Sequence, residues 1–181
     1  MSKSKTHKPL PPIDPRSELV NVIIETPKLS AYKYSYDHEY GLFRVARNLP
    51  AGCFFPYDFG FIPGTRGEDG DPLDVLVMLD QPTVPGCFIH IELIGVLEAM
   101  QKEKDGRVVR NDRLIGQMRI DGKRLGLSDI RDCGRVLQAE IEQFFISYNQ
   151  FAGKKFKPLG WHGPKRAQAL LAAGIAAPKP R

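Results

Sequence analysis

Around Gly126 the hydrophobic pattern changes period, and that change dictates the layout of the chain. Before it come short segments with β patterning. Leu19–Glu25 is rich in β-branched residues and is stopped by Pro27, while Tyr32–Tyr36 alternates so that Lys33 and Ser35 share a face. Gly41–Val45 is a third short strand, and Phe54–Ile62 is aromatic but interrupted by Pro56 and Gly60. Asp74–Leu79 and Phe88–Ala99 read as buried strands, Lys102–Asp112 as a charged connector turning at Asp105-Gly106, and Arg113–Ile120 as one more strand. After Gly126, Ser128 is a predicted helix cap, and Ile130, Leu137, Ile141, Phe144, Phe145 and Tyr148 recur at helical spacing up to about Gly153. A second helix is predicted from Pro164 to just before Gly174. Many short strands followed by two helices define an α+β chain: a small barrel or twisted sheet covered by C-terminal helices.

The 181 residues suit one domain, expected over residues 17–162, with a flexible, basic, proline-rich arm over 1–16 and a short helix and basic tail over 163–181. The net charge of +5 raises the question of nucleic acid. Its distribution argues against that partner. The basic surplus lies in residues 1–16 and 152–181, which leaves the body between them at −5, and no nucleic-acid readout motif is present. No stretch of about 18 apolar residues occurs, so no membrane association is expected. The three cysteines, Cys53, Cys87 and Cys133, are too sparse for a disulfide framework and lack zinc spacing, which fits a reducing cytoplasm. The histidines, His7, His38, His90 and His162, are too scattered for a metal site.

Chemistry concentrates in Glu68-Asp69-Gly70-Asp71-Pro72-Leu73-Asp74, which runs directly into the apolar Val75-Leu76-Val77. Three aspartates within six residues repel one another unless a cation or strong donors lie between them. Gly70 lets the backbone turn, Pro72 stiffens it, and Asp74 is held at the start of a strand. Oxygen ligands suit Mg²⁺, Mn²⁺ or Ca²⁺ rather than zinc. Asp, Gly and Pro are also ordinary turn residues, so the loop alone does not decide the matter. Lys33 and Arg47, on strands preceding it, add the cations that a phosphate chain would need.

With these residues in view, the chain resembles the soluble, single-domain, Mg²⁺-dependent inorganic pyrophosphatases. The resemblance is carried by Phe55-Pro56-Tyr57-Asp58-Phe59-Gly60-Phe61-Ile62-Pro63-Gly64-Thr65, the acidic run, Glu25, Lys33 and Arg47 upstream, and Pro85-Gly86, Ile94–Leu97, Phe144-Phe145 and Tyr148 downstream. It implies a five-stranded OB-like β-barrel with flanking helices, a homo-oligomer (hexameric in bacterial members), and Mg²⁺, with Mn²⁺ as a substitute. The substrate it implies is pyrophosphate. By resemblance Asp69 and Asp74 are metal ligands, Asp71 is also at the metal and serves as the base for the attacking water, Glu25 belongs to the metal site as a carboxylate behind the ligands, and Lys33, Arg47 and Tyr148 hold phosphate oxygens. Tyr148 also falls on the apolar stripe of the long helix, where a packing role explains it equally well.

Departures from the family pattern cluster on the chemistry. Ser35 stands where the family usually has Glu, Phe59 where it has Tyr, Asn149 where it has Lys, and Asp58 replaces an Asn, placing one more carboxylate in the region. After Leu97 the family supplies two aspartates and a lysine. Here Gln101 takes the first position, Asn111 and Arg113 align with the other two, and a one-residue shift brings in Asp112 as the metal ligand. Fewer charged ligands predict weaker metal binding than the family norm. A hydrolase of another phosphoanhydride and a non-catalytic phosphate- or metal-binding homologue are the competing expectations.

Overall fold

The computed structural model describes residues 8–37, 39–120, 123–124 and 126–178. The first seven residues of the expected arm, the last three of the tail, and the histidines at 7 and 38 lie outside the described residues. Ten strands and two helices follow in the order β1 (Val20–Thr26), β2 (Tyr32–Asp37), β3 (Leu42–Asn48), β4 (Asp58–Phe61), β5 (Asp74–Met78), β6 (Phe88–Lys102), β7 (Val108–Arg110), β8 (Arg113–Ile120), β9 (Lys123–Arg124), α1 (Arg135–Phe151), β10 (Lys155–His162) and α2 (Pro164–Ala176).

Five of the strands close on themselves. β1 pairs with β4, β4 with β5, β5 with β8, β8 with β6, and β6 again with β1. All these pairings are antiparallel except β5–β8. Closure removes the exposed edges that an open sheet of this size would carry. This is the five-stranded OB-like barrel expected from the resemblance. β2 and β3 form a separate two-stranded sheet with Lys33 opposite Arg47.

Alternation along the barrel strands makes two cores. Val75 and Val77 join Val22, Ile24, Ile62, Ile91 and Leu114 in one, which Ala167 and Leu171 of α2 close off. Leu76 points the other way, joining Ile94, Leu97 and Ile115 beneath Ile141 and Phe145 of α1. Pro164 opens α2 as its fixed φ favours. Among the described residues, no helix is long and apolar enough to cross a membrane.

Local structure departs from the sequence expectations at several points. Residues 130–133 form a separate 3₁₀ turn capped by Asp129, so Ile130 is not part of α1, which starts after Gly134 rather than near Ser128. α2 continues through Gly174 to Ala176. The connector after β6 is a hairpin: β6 runs to Lys102, the chain turns at Asp105-Gly106, and β7 returns along it with Gln101 opposite Val109. The segment between the helices is a strand, β10, paired with β6. Within the expected arm, Pro11 and Pro12 accept hydrogen bonds from the Asn21 side chain and backbone N–H, both at 2.9 Å, and Ile13 bridges Val20.

Candidate active site

The acidic loop is a compact backbone structure. Thr65 donates its hydroxyl to the Ile62 carbonyl at 2.6 Å and accepts the Leu73 N–H at 3.0 Å, while the Gly67 N–H reaches the Asp71 carbonyl at 2.7 Å. Gly70 turns the chain at φ 94, a left-handed value that a side chain would strain. Asp74 then opens β5 opposite Phe61. Two of the three carboxylates therefore stand on a braced loop and the third on the barrel itself.

These side chains line a cavity of about 620 Å³, together with Glu25, Lys33, Ser35, Arg47, Phe59, Tyr148 and Asn149. Every site residue that the sequence pointed to lies here, with one exception. Asp112 faces away: its carboxylate accepts the Ala99 N–H at 2.9 Å and pairs with Arg110 at 2.6 Å, and its neighbours Asn111 and Arg113 line the cavity instead. Asp58, the carboxylate expected to enrich the region, is also committed elsewhere. It is fully buried and accepts the N–H groups of Lys28 and Thr83 and the Thr83 hydroxyl.

Three of the cavity's cations, Lys33, Arg113 and Lys154, are held by its acids. Lys33 Nζ lies 2.6 Å from Glu25 Oε2 and 4.7 Å from the centre of the Phe59 ring. Glu25 also accepts the Tyr36 N–H at 3.3 Å. Arg113, 3% exposed, reaches Asp74 Oδ2 at 2.7 Å, donates to Asn111 Oδ1, and packs against the rings of Phe145 and Phe156. Arg47 lies 4.4 Å over the Tyr148 ring. Lys154 and Glu103 form a further pair at 2.7 Å. Sequence reasoning did not single out Lys154 or Arg107, which line the cavity as well. The signal was present but weak: both follow glycines with positive φ, Gly153 and Gly106, at turns that reverse the chain toward the cavity.

Among the described residues, five acidic and five basic side chains line the cavity, so their formal charges balance until an anion enters. Within that balance the acidic loop is poorly compensated. Burial, reinforced by the charges of Asp74 and Asp71, pushes Asp69 up to about 6 even though it accepts the Asp71 N–H. Burial raises Asp74 as well, against the pull of Arg113 and Lys33. Among the described residues, no three His, Cys, Asp or Glu side chains are gathered tightly enough to hold an ion as they stand. The donor set nevertheless fits a hard cation: crowded carboxylates, of which Asp69 and Asp74 are pushed up mainly by burial, with the side-chain amides of Asn111 and Gln101 on the same cavity wall.

A closed five-stranded barrel with flanking helices, presenting carboxylates and fixed cations in one cavity, defines a hydrolase of the phosphoanhydride-cleaving class. The match to the inorganic pyrophosphatase family model extends over residues 22–179. Similar proteins are the inorganic pyrophosphatases of Thermus thermophilus, 38% identical over 93% of this chain and 95% of the relative, and of Streptomyces coelicolor, 40% identical over 83% and 90%. The solved Thermus thermophilus structure superposes with a TM-score of 0.82 at 36% identity, covering 93% of this chain and 96% of the other. The Helicobacter pylori enzyme gives 0.79 at 30% identity over 90% and 95%. The chain belongs to the inorganic pyrophosphatase family, whose members depend on a metal.

Proposed function

We propose that this protein hydrolyses inorganic pyrophosphate to two phosphates, with Mg²⁺ as the working cation and Mn²⁺ as a substitute. One observation carries the reading: Asp69, Asp71 and Asp74 share a single cavity with Lys33, Arg47, Arg113 and Tyr148. Pyrophosphate entering a charge-balanced cavity brings several negative charges, which divalent cations on the acidic loop would offset. A bound divalent ion supplies a water of lowered pKa and neutralises phosphate charge.

Asp69 and Asp74 hold that ion, Asp71 receives the proton of the attacking water, and Glu25 fixes the Lys33 ammonium for a phosphate oxygen. Arg47, stacked on Tyr148, offers its planar fork to the other phosphate. Arg113 provides charge where a lysine is usual in the family. Asn111 and Gln101 supply neutral oxygens in place of carboxylates, which weakens metal binding. The protein acts in the cytoplasm, in keeping with free Cys53, Cys87 and Cys133, and without nucleic acid. It assembles as a homo-oligomer, a state favoured by exposed apolar side chains such as Tyr40, Leu42, Val136 and Phe151 and checked by light scattering.

The test is phosphate release from pyrophosphate, tripolyphosphate and nucleotides across Mg²⁺ and Mn²⁺ concentrations. Pyrophosphate should be cleaved fastest. No release with either metal overturns the reading, and faster cleavage of another substrate reassigns it. A metal titration showing ordinary family affinity would contradict the predicted weakening.

A further inference from the structure

The resemblance assigns no role to Glu103 or Lys154 themselves, yet both line the cavity. Glu103 follows the end of β6, two residues beyond Gln101. Lys154 follows α1, where Gly153 at φ 72 reverses the chain and the Lys154 N–H donates to the Asn149 carbonyl at 2.9 Å. The two segments are packed together: a Cβ on Gly153 would lie 3.1 Å from Lys104 Cε, on the hairpin. Glu103 is engaged on both oxygens, by Lys154 Nζ at 2.7 Å and by Gln101 Nε2 at 2.5 Å. Its carboxylate is thereby fixed, whereas the ammonium keeps two of its three donors for other acceptors.

Asn149 brings no charge to this part of the cavity. It is 3% exposed, and its Nδ2 donates to the Phe145 carbonyl at 2.8 Å. Lys154, hydrogen-bonded to Asn149 through the backbone, brings a positive charge to the same cavity, and its side chain is 33% exposed and paired with Glu103. A phosphate carries more charge than one carboxylate and competes well for that ammonium.

We infer that Lys154 binds a phosphate group of the substrate and that Glu103 is its positioning residue, competing with phosphate for the same ammonium. The inference rests on reading the cavity as a phosphoanhydride hydrolase site. It also sets the pair apart from a purely structural ion pair. If the pair only braced the hairpin against the turn after α1, removing either charge would shift phosphate affinity in the same direction. If it is a latch, the two removals act in opposite directions.

The experiment measures binding of inorganic phosphate by calorimetry in EDTA, and KM and kcat for Mg²⁺-pyrophosphate, on the full chain and three variants. Lys154→Gln should weaken phosphate about tenfold and raise KM by a similar factor, the scale of one charge-assisted hydrogen bond. Lys154→Arg should recover most of the loss. Glu103→Gln, which can still accept from Gln101, should tighten phosphate about threefold, as expected for release of a partly exposed ion pair. Thermal midpoints close to that of the parent establish that each variant folds. Unchanged phosphate binding in Lys154→Gln, or weakened binding in Glu103→Gln, overturns the proposal. A parent protein that binds phosphate through Lys154 but cleaves no pyrophosphate leaves this inference standing and removes the functional reading instead.

Discussion

The carboxylates of Asp69, Asp71 and Asp74 share a cavity but not a setting. Asp69 and Asp74 are raised by burial, whereas Asp71 is an exposed residue on the loop, so replacing it costs the fold little. Asp71→Asn keeps the shape and removes the base. It should lower kcat by about 100-fold or more with an unchanged thermal midpoint, and a kcat within a few-fold of the parent would exclude Asp71 as the proton acceptor. Asp69 makes a pH prediction. Its carboxyl, pushed up to about 6, must lose a proton before it can ligate, so metal binding releases a proton below that pH and affinity falls as pH drops. Mn²⁺ affinity measured by calorimetry should be about tenfold weaker at pH 5 than at pH 7.5, with proton release at the lower value. Equal affinities would show that no raised Asp69 carboxyl is deprotonated on binding, so either Asp69 is not a ligand or it is already ionised at pH 5. The acidic loop was legible in the sequence because its three carboxylates are close along the chain. Asp112 was misread because composition does not reveal register: it alternates with Asn111 and Arg113, and the start of β8 sends those two into the cavity and Asp112 behind it.

At the scale of elements, strands with clean alternation were readable and strands interrupted by turn residues were not. β10 contains Pro158 and Gly160, which break any strand alternation, and the stretch between the helices has no assignment from sequence. It nonetheless pairs with β6 from Lys155 to His162, with an irregularity between those two residues, at the edge of the sheet where a missing N–H costs least. Likewise, the hairpin of β6 and β7 looked like a charged connector because β7 is only three residues long, Val108–Arg110, and the turn that joins it to β6 is charged. These two pieces carry or flank Glu103, Arg107 and Lys154, so the overlooked lining residues and the overlooked elements belong together. Where β6 crosses the 3₁₀ turn, Gly95 leaves no room for a side chain. A Cβ there would meet Ile130 Cγ2 at 2.1 Å and the His162 carbonyl at 2.6 Å. Gly95→Ala should therefore cost about 2 kcal/mol or more, because backbone on β10 has to move. Chemical denaturation would show this as a lowered midpoint with an unchanged slope, and a midpoint equal to the parent's would mean that β10 is not held against β6 as described.

Across the whole molecule, one carboxylate ties the covering elements to the barrel. Glu98 on β6 pairs with Arg110 of β7 and Arg166 of α2, each at 2.6 Å, and His162 of β10 lies 3.5 Å away. Arg110 in turn holds Asp112, between the two residues that line the cavity. Burial pushes the Glu98 carboxyl up, but Arg166 and Arg110 more than offset this and leave it below its ordinary value. A carboxylate lowered by folding adds stability above its unfolded pKa of about 4.5, and that stability disappears as pH falls through the lower folded value. Glu98→Gln should therefore lower the thermal midpoint at pH 7, where the parent has the full benefit. The gap between the two proteins should narrow below about pH 4.5 and close once both side chains are neutral. Scans in EDTA from pH 3.5 to pH 7 separate this from effects at the acidic loop. A gap that stays constant across that range would mean that Glu98 acts through shape and hydrogen bonding alone, and that its charge does not fasten α2 and β7 to the barrel.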